Sequence, residues 1–395
     1  MQKLRLVVIG AGTGRGQSWL STIKKVEDIY ELVALCEPLE ERARENSARW
    51  GIPAYPNLPA ALETQPADVV FCALPPDGNH AIVHLAAKAG LHVITEIPIA
   101  PTRPLADGAI EATRQAGVKY EVTEQVWLWP YERLKKKILE SGLIGDVVFA
   151  RLAYLTGSYH GFNAIRTLLG SEPRRVLACS GTIPIPDAVA GSYITPPPAD
   201  RYWETAVIEF DNGVSCLYEM PSATYKPSLW EIEGTNGQII GNELYLGIGR
   251  ERQRFPFRHE YVRVDGEEVL DCVRVDTDPP ILYENPYKHY RIREDDEVAR
   301  VQLLVSFYHA VTTGAEVLYG PQNARRDQEL CIAIHESALQ GSKWLSLPLE
   351  VETETERRMH NDYRKLYGCE AENIEALARV AFARGGVRWT VTRQL

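Results

Sequence analysis

At 395 residues the chain is longer than one hydrophobic core usually organises, and 45% hydrophobic with 24% charged residues is an ordinary globular mixture, so two domains are expected. A formal charge of -10 with a pI near 5.5 argues against phosphate backbones and anionic lipid as partners, since both need clustered Lys and Arg. No run of 18 apolar residues occurs and Met1-Gln2-Lys3 leads straight into a strand pattern, so neither a membrane partner nor a signal segment is expected, and the cytoplasm is the expected location.

Strand and helix signals alternate over the first 125 residues. Apolar runs at 4–9, 31–36, 67–74 and 92–95, with short extended pieces at 54–55 and 118–123, read as six strands. Helical spacing appears at 18–25, 79–88 and 105–115. Strands separated by single helices require right-handed crossovers, hence a parallel sheet covered on both faces. Residues 130–141 then read as a helix with a basic middle, closed by Gly142. Alternating segments at 147–155, 204–210, 214–220 and 230–233, with turns at Asp211-Asn212-Gly213 and Thr235-Asn236-Gly237, predict a large, mostly antiparallel open sheet. Helical stretches at 298–312 and 325–340 complete an α+β domain. Pro-rich stretches at 183–199 and 278–286 read as exposed loops. The expected organisation is an α/β Rossmann domain over 1–125, an α+β substrate and oligomerisation domain over 126–370, and a tail over 371–395. In that tail Ile374, Leu377, Val380 and Ala381 make one helical face, and Val387, Trp389 and Val391 alternate as a short strand that adds to a neighbour's sheet or covers its own.

The seven cysteines are scattered, with no CxxC pair and no neighbouring His at zinc spacing, so they read as reduced thiols and no metal site is expected. The glycine pattern is more informative. Gly10-Ala11-Gly12-Thr13-Gly14-Arg15-Gly16 follows the first strand and precedes a helix, which brings backbone N–H groups against a pyrophosphate at a helix N-terminus. Arg15 stands where the third glycine of G-x-G-x-x-G falls, so the turn is a variant. Glu37 ends the second strand, where a carboxylate accepts from the adenosine ribose hydroxyls and repels a 2'-phosphate. NAD is therefore expected as cofactor ahead of NADP, with Arg42 and Arg44 as the basic groups on the other side of that balance.

Several landmarks together resemble the Gfo/Idh/MocA family, the glucose-fructose oxidoreductase and inositol dehydrogenase group, over about 4–347. They are the glycine turn, Ala73-Leu74-Pro75-Pro76-Asp77-Gly78-Asn79-His80, His92-Val93-Ile94-Thr95-Glu96-Ile97-Pro98, Ser141-Gly142-Leu143-Ile144-Gly145-Asp146-Val147, and His160 ahead of Leu168-Leu169-Gly170. The resemblance implies a Rossmann domain followed by a domain with a large open sheet, NAD(P)-linked hydride chemistry on sugars, cyclitols or related polyols, and a homodimer or homotetramer. Expected cofactor-binding residues are Gly10, Gly12, Thr13, Gly14, Arg15, Glu37, Pro75, His80, Glu96 and Pro98. The family pattern places a lysine after the glutamate of the fifth strand and an aspartate four residues before the histidine. Here those positions are Ile97 and Thr156, and Asn163 stands where an aspartate is common.

Oxidising an alcohol needs a base for the hydroxyl proton, and the reverse reaction needs an acid. His160, with Tyr159 beside it, is the expected catalytic group, the competing reading being a helix-start histidine satisfied by backbone. Asn163, Gln125 and Trp127 are the expected substrate contacts, with ordinary packing the competing reading for the tryptophans. Lys226 and Lys288 are weaker candidates on loops. The expected activity is an NAD(P)-dependent oxidoreductase acting on CH–OH groups of a carbohydrate-like substrate. Two alternatives stand beside it: a redox-neutral, NAD-dependent glycosidase or lyase working by oxidation and elimination, which the apolar residue at 97 favours, and a non-catalytic dinucleotide-binding protein.

Overall fold

The computed structural model describes residues 2–12, 14–153, 158–184, 200–220, 229–247, 249–382 and 386–387. Their contacts divide into two compact units. Among the described residues the first takes 2–125, 296–328 and 356–387, and the second takes 126–295 and 329–355. The chain thus crosses at residue 125, where the composition changes, and then returns twice to the first unit.

The first unit opens with β1 (Leu4–Ile9), α1 (Arg15–Lys25), β2 (Tyr30–Cys36), α2 (Glu40–Trp50), β3 (Ala54–Tyr55), α3 (Leu58–Leu62), β4 (Val69–Cys72), α4 (Pro76–Lys88), β5 (His92–Thr95), α5 (Arg103–Ala116) and β6 (Tyr120–Val122). The strands form one parallel sheet in the order β3-β2-β1-β4-β5-β6, the doubly wound order whose switch point lies between β1 and β4. Leu6, Val7 and Val8 of β1 and all four residues of β4 are fully buried, as a strand covered on both faces requires. Hydrophobic spacing announces neither the short α3 nor α2, and the reason is clearest in α2. Its sequence is largely polar, its only buried residue is Asn46, and that amide accepts from Gln17 Nε2 at 2.6 Å instead of packing an apolar stripe. It ends at Gly51, whose φ of 69° suits the left-handed cap.

The second unit begins with α6 (Pro130–Glu140), β7 (Val147–Ala153) and α7 (Ser158–Leu169). Ten strands follow: β8 (Pro173–Pro184), β9 (Asp200–Phe210), β10 (Ser215–Met220), β11 (Leu229–Gly234), β12 (Gly237–Ile240), β13 (Glu243–Leu246), β14 (Gln253–Pro256), β15 (Arg258–Val264), β16 (Glu267–Val275) and β17 (Ile281–Glu284). With β7 and β18 (Leu345–Ser346), β8 to β14 build a nine-stranded sheet in the order β14-β13-β12-β11-β7-β10-β9-β8-β18, antiparallel except where β7 lies parallel to β10. Alternate residues Ala206, Ile208 and Phe210 of β9 point into the core with Phe162 and Ile165 of α7. β15, β16 and β17 form a separate three-stranded sheet. The stretch expected as a loop at 278–286 therefore contains a strand: β17 pairs with β16, and Ile281 and Leu282 are half-buried by that pairing. Most of the other Pro-rich stretch, 185–199, lies outside the described residues.

Four helices complete the chain: α8 (Asp295–Thr313), α9 (Gly320–Leu339), α10 (Glu354–Tyr367) and α11 (Ile374–Leu377). Almost all of α8, the first half of α9, nearly all of α10 and all of α11 belong to the first unit. Tyr30 Oη donates to the Leu304 carbonyl at 2.8 Å, and Arg103 pairs with Glu356, so both returns are tied into the Rossmann core.

Candidate dinucleotide site

The glycine turn fits close backbone approach. Gly10 has φ 84°, and a Cβ on it would lie 2.6 Å from the Ala73 carbonyl oxygen of the turn after β4. A Cβ on Gly12 would meet Glu37 Oε2, and one on Gly16 would meet the Gly10 carbonyl. Gly14, with φ 56°, has open space over it and serves as the N-cap of α1, whose first turn carries no acidic residue and no side-chain cap. Uncapped N–H groups and the positive end of the helix dipole are the elements of an anion site.

Above this turn lies a cavity of about 700 Å³, within the range of small-molecule sites. Gly10, Gly12, Gly14, Arg15, Glu37 and Pro75 of the expected cofactor residues line it. Glu37 is buried, with Oε1 accepting from Leu39 N at 3.1 Å and Oε2 against Gly12. The cradle over Gly12 and Gly14, the uncapped helix and the carboxylate at the end of β2 fit the phosphates and ribose of a dinucleotide.

The remaining expected residues sit elsewhere. Thr13 lies outside the described residues. His80 is fully buried away from the cavity, its Nε2 at 2.8 Å from the Ala371 carbonyl, and burial pulls its pKa down to about 4. Glu96 does not line the cavity. Its carboxylate takes hydrogen bonds from Arg15 Nε at 2.7 Å, Trp19 Nε1 and Ile97 N. Pro98 contributes its carbonyl, which accepts from Asn79 Nδ2 at 2.9 Å. The cavity takes residues from the ends of β1, β2 and β4 and none from β5 or β6, which is why the landmarks around Glu96 stay apart from it. Lining residues that the sequence motifs did not single out are Asn57, Leu58 and Pro59 around the start of α3, Ile82 and Leu85 of α4, and the segment 377–382. Ile82 and Leu85 are part of the apolar pattern of α4, but that pattern does not separate a cavity wall from core.

In the second unit the expected catalytic pair opens α7. Tyr159 and His160 are half-buried with ring centroids 4.8 Å apart, and Asn163 follows one turn later, 2% exposed, with no hydrogen bond to its Oδ1 among the described residues. The short turn holding Trp127 packs against α7, with the Arg133 guanidinium 5.7 Å above the indole. Tyr159, His160 and Asn163 thus share the start of α7, and the turn that carries Trp127 packs against that helix. Gln125, in the first unit, is buried and donates to Asp296 Oδ1 at 3.1 Å. Thr156 and Lys226 lie outside the described residues, while Lys288 pairs with Asp271, beside Glu260 and Cys272 in the one group of possible metal ligands among the described residues. No cysteine is bridged, and burial pushes the thiols of Cys36, Cys72 and Cys216 up to about 12, which removes them as nucleophiles near neutral pH.

Residues 4–124 match the family model described as "Oxidoreductase family, NAD-binding Rossmann fold". Among curated proteins the chain is 31% identical to D-apiose dehydrogenase of Paraburkholderia graminis over 54% of its own length and 61% of the relative. It is 26% identical to the dTDP-3,4-didehydro-2,6-dideoxy-alpha-D-glucose 3-reductase of Actinomadura kijaniata over 36% and 43%. The match thus spans less than two thirds of either relative. Solved structures share the fold over nearly the whole chain. Levoglucosan dehydrogenase in complex with NADH is 20% identical with a TM-score of 0.68 over 88% of this chain and 100% of that one. The WlbA dehydrogenase of Bordetella pertussis is 18% identical with a TM-score of 0.64 over the same shares. Residues 4–124 thus match the NAD-binding Rossmann domain of the Gfo/Idh/MocA oxidoreductase family, and the chain shares its fold with sugar dehydrogenases.

Proposed function

We infer that the protein is an NAD-dependent oxidoreductase that moves a hydride between the nicotinamide and a sugar, cyclitol or related polyol. The observation that carries this reading is the cavity over Gly12 and Gly14 with the Glu37 carboxylate in its wall. The cofactor supplies a hydride acceptor or donor. Gly10, Gly12 and Gly14 offer backbone approach and N–H groups to its phosphates, and Glu37 accepts from the ribose hydroxyls. A carboxylate at that point repels a 2'-phosphate, which favours NAD over NADP.

His160 takes the proton of the substrate hydroxyl in oxidation and returns one to the carbonyl oxygen in reduction. Tyr159, stacked at a tilt against the imidazole, orients it, and Asn163 and Trp127 hold the substrate by amide hydrogen bonding and an aromatic face. D-apiose dehydrogenase and levoglucosan dehydrogenase, named for carbohydrate-like substrates, support that substrate class. The test offers cyclitols, hexoses, pentoses and glycosides to the purified protein with NAD, following absorbance at the reduced-nicotinamide band together with products. Stoichiometric NADH formation is the expected result. A second reading follows from Ile97, which has no proton to exchange: a redox-neutral glycosidase or lyase in which oxidation of a ring hydroxyl acidifies the neighbouring C–H, elimination follows and the hydride returns. Product formation without net NADH change selects that reading, and NAD binding without any product rejects both.

A further inference from the structure

The C-terminal segment lies on the dinucleotide cavity. Leu377, Ala378, Arg379, Val380, Ala381 and Phe382 line it together with Gly12, Glu37 and Arg42. Their placement is fixed by α4. Tyr363 Oη donates to the Asp77 carbonyl at 3.0 Å, Tyr367 Oη donates to Asp77 Oδ2 at 2.7 Å, and Val387 N donates to the same oxygen at 2.9 Å. His80 meets the Ala371 carbonyl on the same helix. The Phe382 ring lies so close to Gly78 that a Cβ there would come within 2.7 Å of Cδ2, and Tyr367 meets the ring edge to face with centroids 5.4 Å apart. Asp77 is 1% exposed, so two side chains and one backbone N–H converge on a buried carboxylate and its peptide at the start of α4. Two turns further along, Ile82 and Leu85 of the same helix line the cavity.

Of the parallel strands, only β1, β2 and the turn after β4 reach the cavity, which suits the adenosine and pyrophosphate half of a dinucleotide. Its walls near α4 are apolar, from Ile82, Leu85, Leu377, Val380 and Phe382. Two cations, Arg42 and Arg379, are exposed and make no ion pair or side-chain hydrogen bond among the described residues. An apolar slot edged by free guanidinium groups suits a planar, electron-rich base attached to phosphate.

We propose that residues 377–382 are part of the cofactor site: they form the outer wall of the adenosine subsite, Arg379 contributes a guanidinium to the bound adenosine, and the segment held at Asp77 slows cofactor exchange. The proposal rests on the dinucleotide reading of the cavity. The wall is anchored near Phe382 by Tyr367 and by Val387, so its opening is the step by which it would slow release.

The test measures stopped-flow binding of NADH, and equilibrium binding of ADP-ribose and of nicotinamide mononucleotide, to the full chain and to Arg379→Ala, Phe382→Ala and Gly78→Ala. Gly78→Ala displaces the Phe382 ring without altering a lining residue, and melting curves establish that each variant folds. Phe382→Ala and Gly78→Ala are expected to raise the NADH dissociation rate about tenfold, with Arg379→Ala weakening ADP-ribose about fivefold and leaving nicotinamide mononucleotide unchanged. Rates and affinities within twofold of the parent in all folded variants overturn the proposal while leaving the dinucleotide site standing. A parent chain that binds neither NADH nor NADPH removes the dinucleotide reading and the proposal with it.

Discussion

Arg15 Nε donates to Glu96 Oε1 at 2.7 Å, joining the first residue of α1 to the end of β5 across 81 positions of sequence. Burial pulls the Arg15 guanidinium down, but Glu96 and Asp296 more than restore it, so it stays firmly charged. The residue that interrupts the glycine pattern is thus a bridge between the pyrophosphate turn and the Glu-Ile-Pro landmark. Arg15→Ala leaves Glu96 with the Trp19 and Ile97 donors, and the arginine side chain is 36% exposed, so water screens part of the interaction. We expect a loss of about 1–2 kcal/mol in urea unfolding, and a coupling of about 1 kcal/mol in a double-mutant cycle with Glu96→Gln. Additive losses would show that the two residues act separately.

Glu37→Ser tests the cofactor choice. On the proposed reading, removing the carboxylate deletes an acceptor for the ribose and the repulsion against a 2'-phosphate. NADH affinity is expected to fall about tenfold and NADPH affinity to rise, with Arg42 on the cavity wall available to the phosphate. Fluorescence titration of both cofactors measures the ratio, and an unchanged NADH to NADPH preference would take Glu37 out of the discrimination.

How much of this was readable beforehand depends on how local the cause is. The turn at Gly10 and Gly14 is set by backbone conformations of the same few residues, and Glu37 by its place at a strand end, so both stand out in the sequence. The ion pair of Arg15 with Glu96 and the wall made by 377–382 depend on tertiary neighbours 81 and about 300 residues away, for which no periodicity gives a sign. His80 carries a family landmark yet serves as a buried anchor for Ala371, because a histidine's role follows from what reaches it. Helix α2 escaped notice because it packs Asn46 inward rather than an apolar stripe.

His160→Ala separates catalysis from structure in the second unit. The imidazole is half-buried in the first turn of α7, so its loss costs little packing. Turnover is expected to fall by about 10²–10⁴-fold with NADH binding unchanged. Near-parental turnover would assign His160 to the helix start alone.

The returning helix α10 is held by a pair whose loss is costly. Glu356 is fully buried and accepts from Arg103 N at 3.0 Å, Nε at 2.9 Å and Nη2 at 2.7 Å. Glu356→Ala removes three hydrogen bonds from a buried guanidinium and its backbone N–H together, so about 3–5 kcal/mol of stability should be lost. Chemical denaturation measures it. A change under 1 kcal/mol would mean that water or another carboxylate replaces Glu356.

Glu121 of β6 gives the fold a pH signature. It is fully buried, and burial pushes its pKa up to about 7 even though Gly320 N at 2.7 Å, Val122 N at 2.9 Å and Tyr319 N at 3.2 Å all donate to it. An unfolded glutamate titrates near 4.5, so between pH 4.5 and 7 the native state holds the proton more tightly than the unfolded state. The contribution is fully present below 4.5 and is lost as pH rises towards 7, by roughly 3 kcal/mol over the window. Glu121→Gln cannot titrate and lacks this term, whatever constant offset the amide introduces. Unfolding free energies of both proteins across pH 4.5–8 should therefore give a difference that slopes through that window and flattens above it. Parallel curves would place the Glu121 pKa near its unfolded value and show that the backbone donors offset burial.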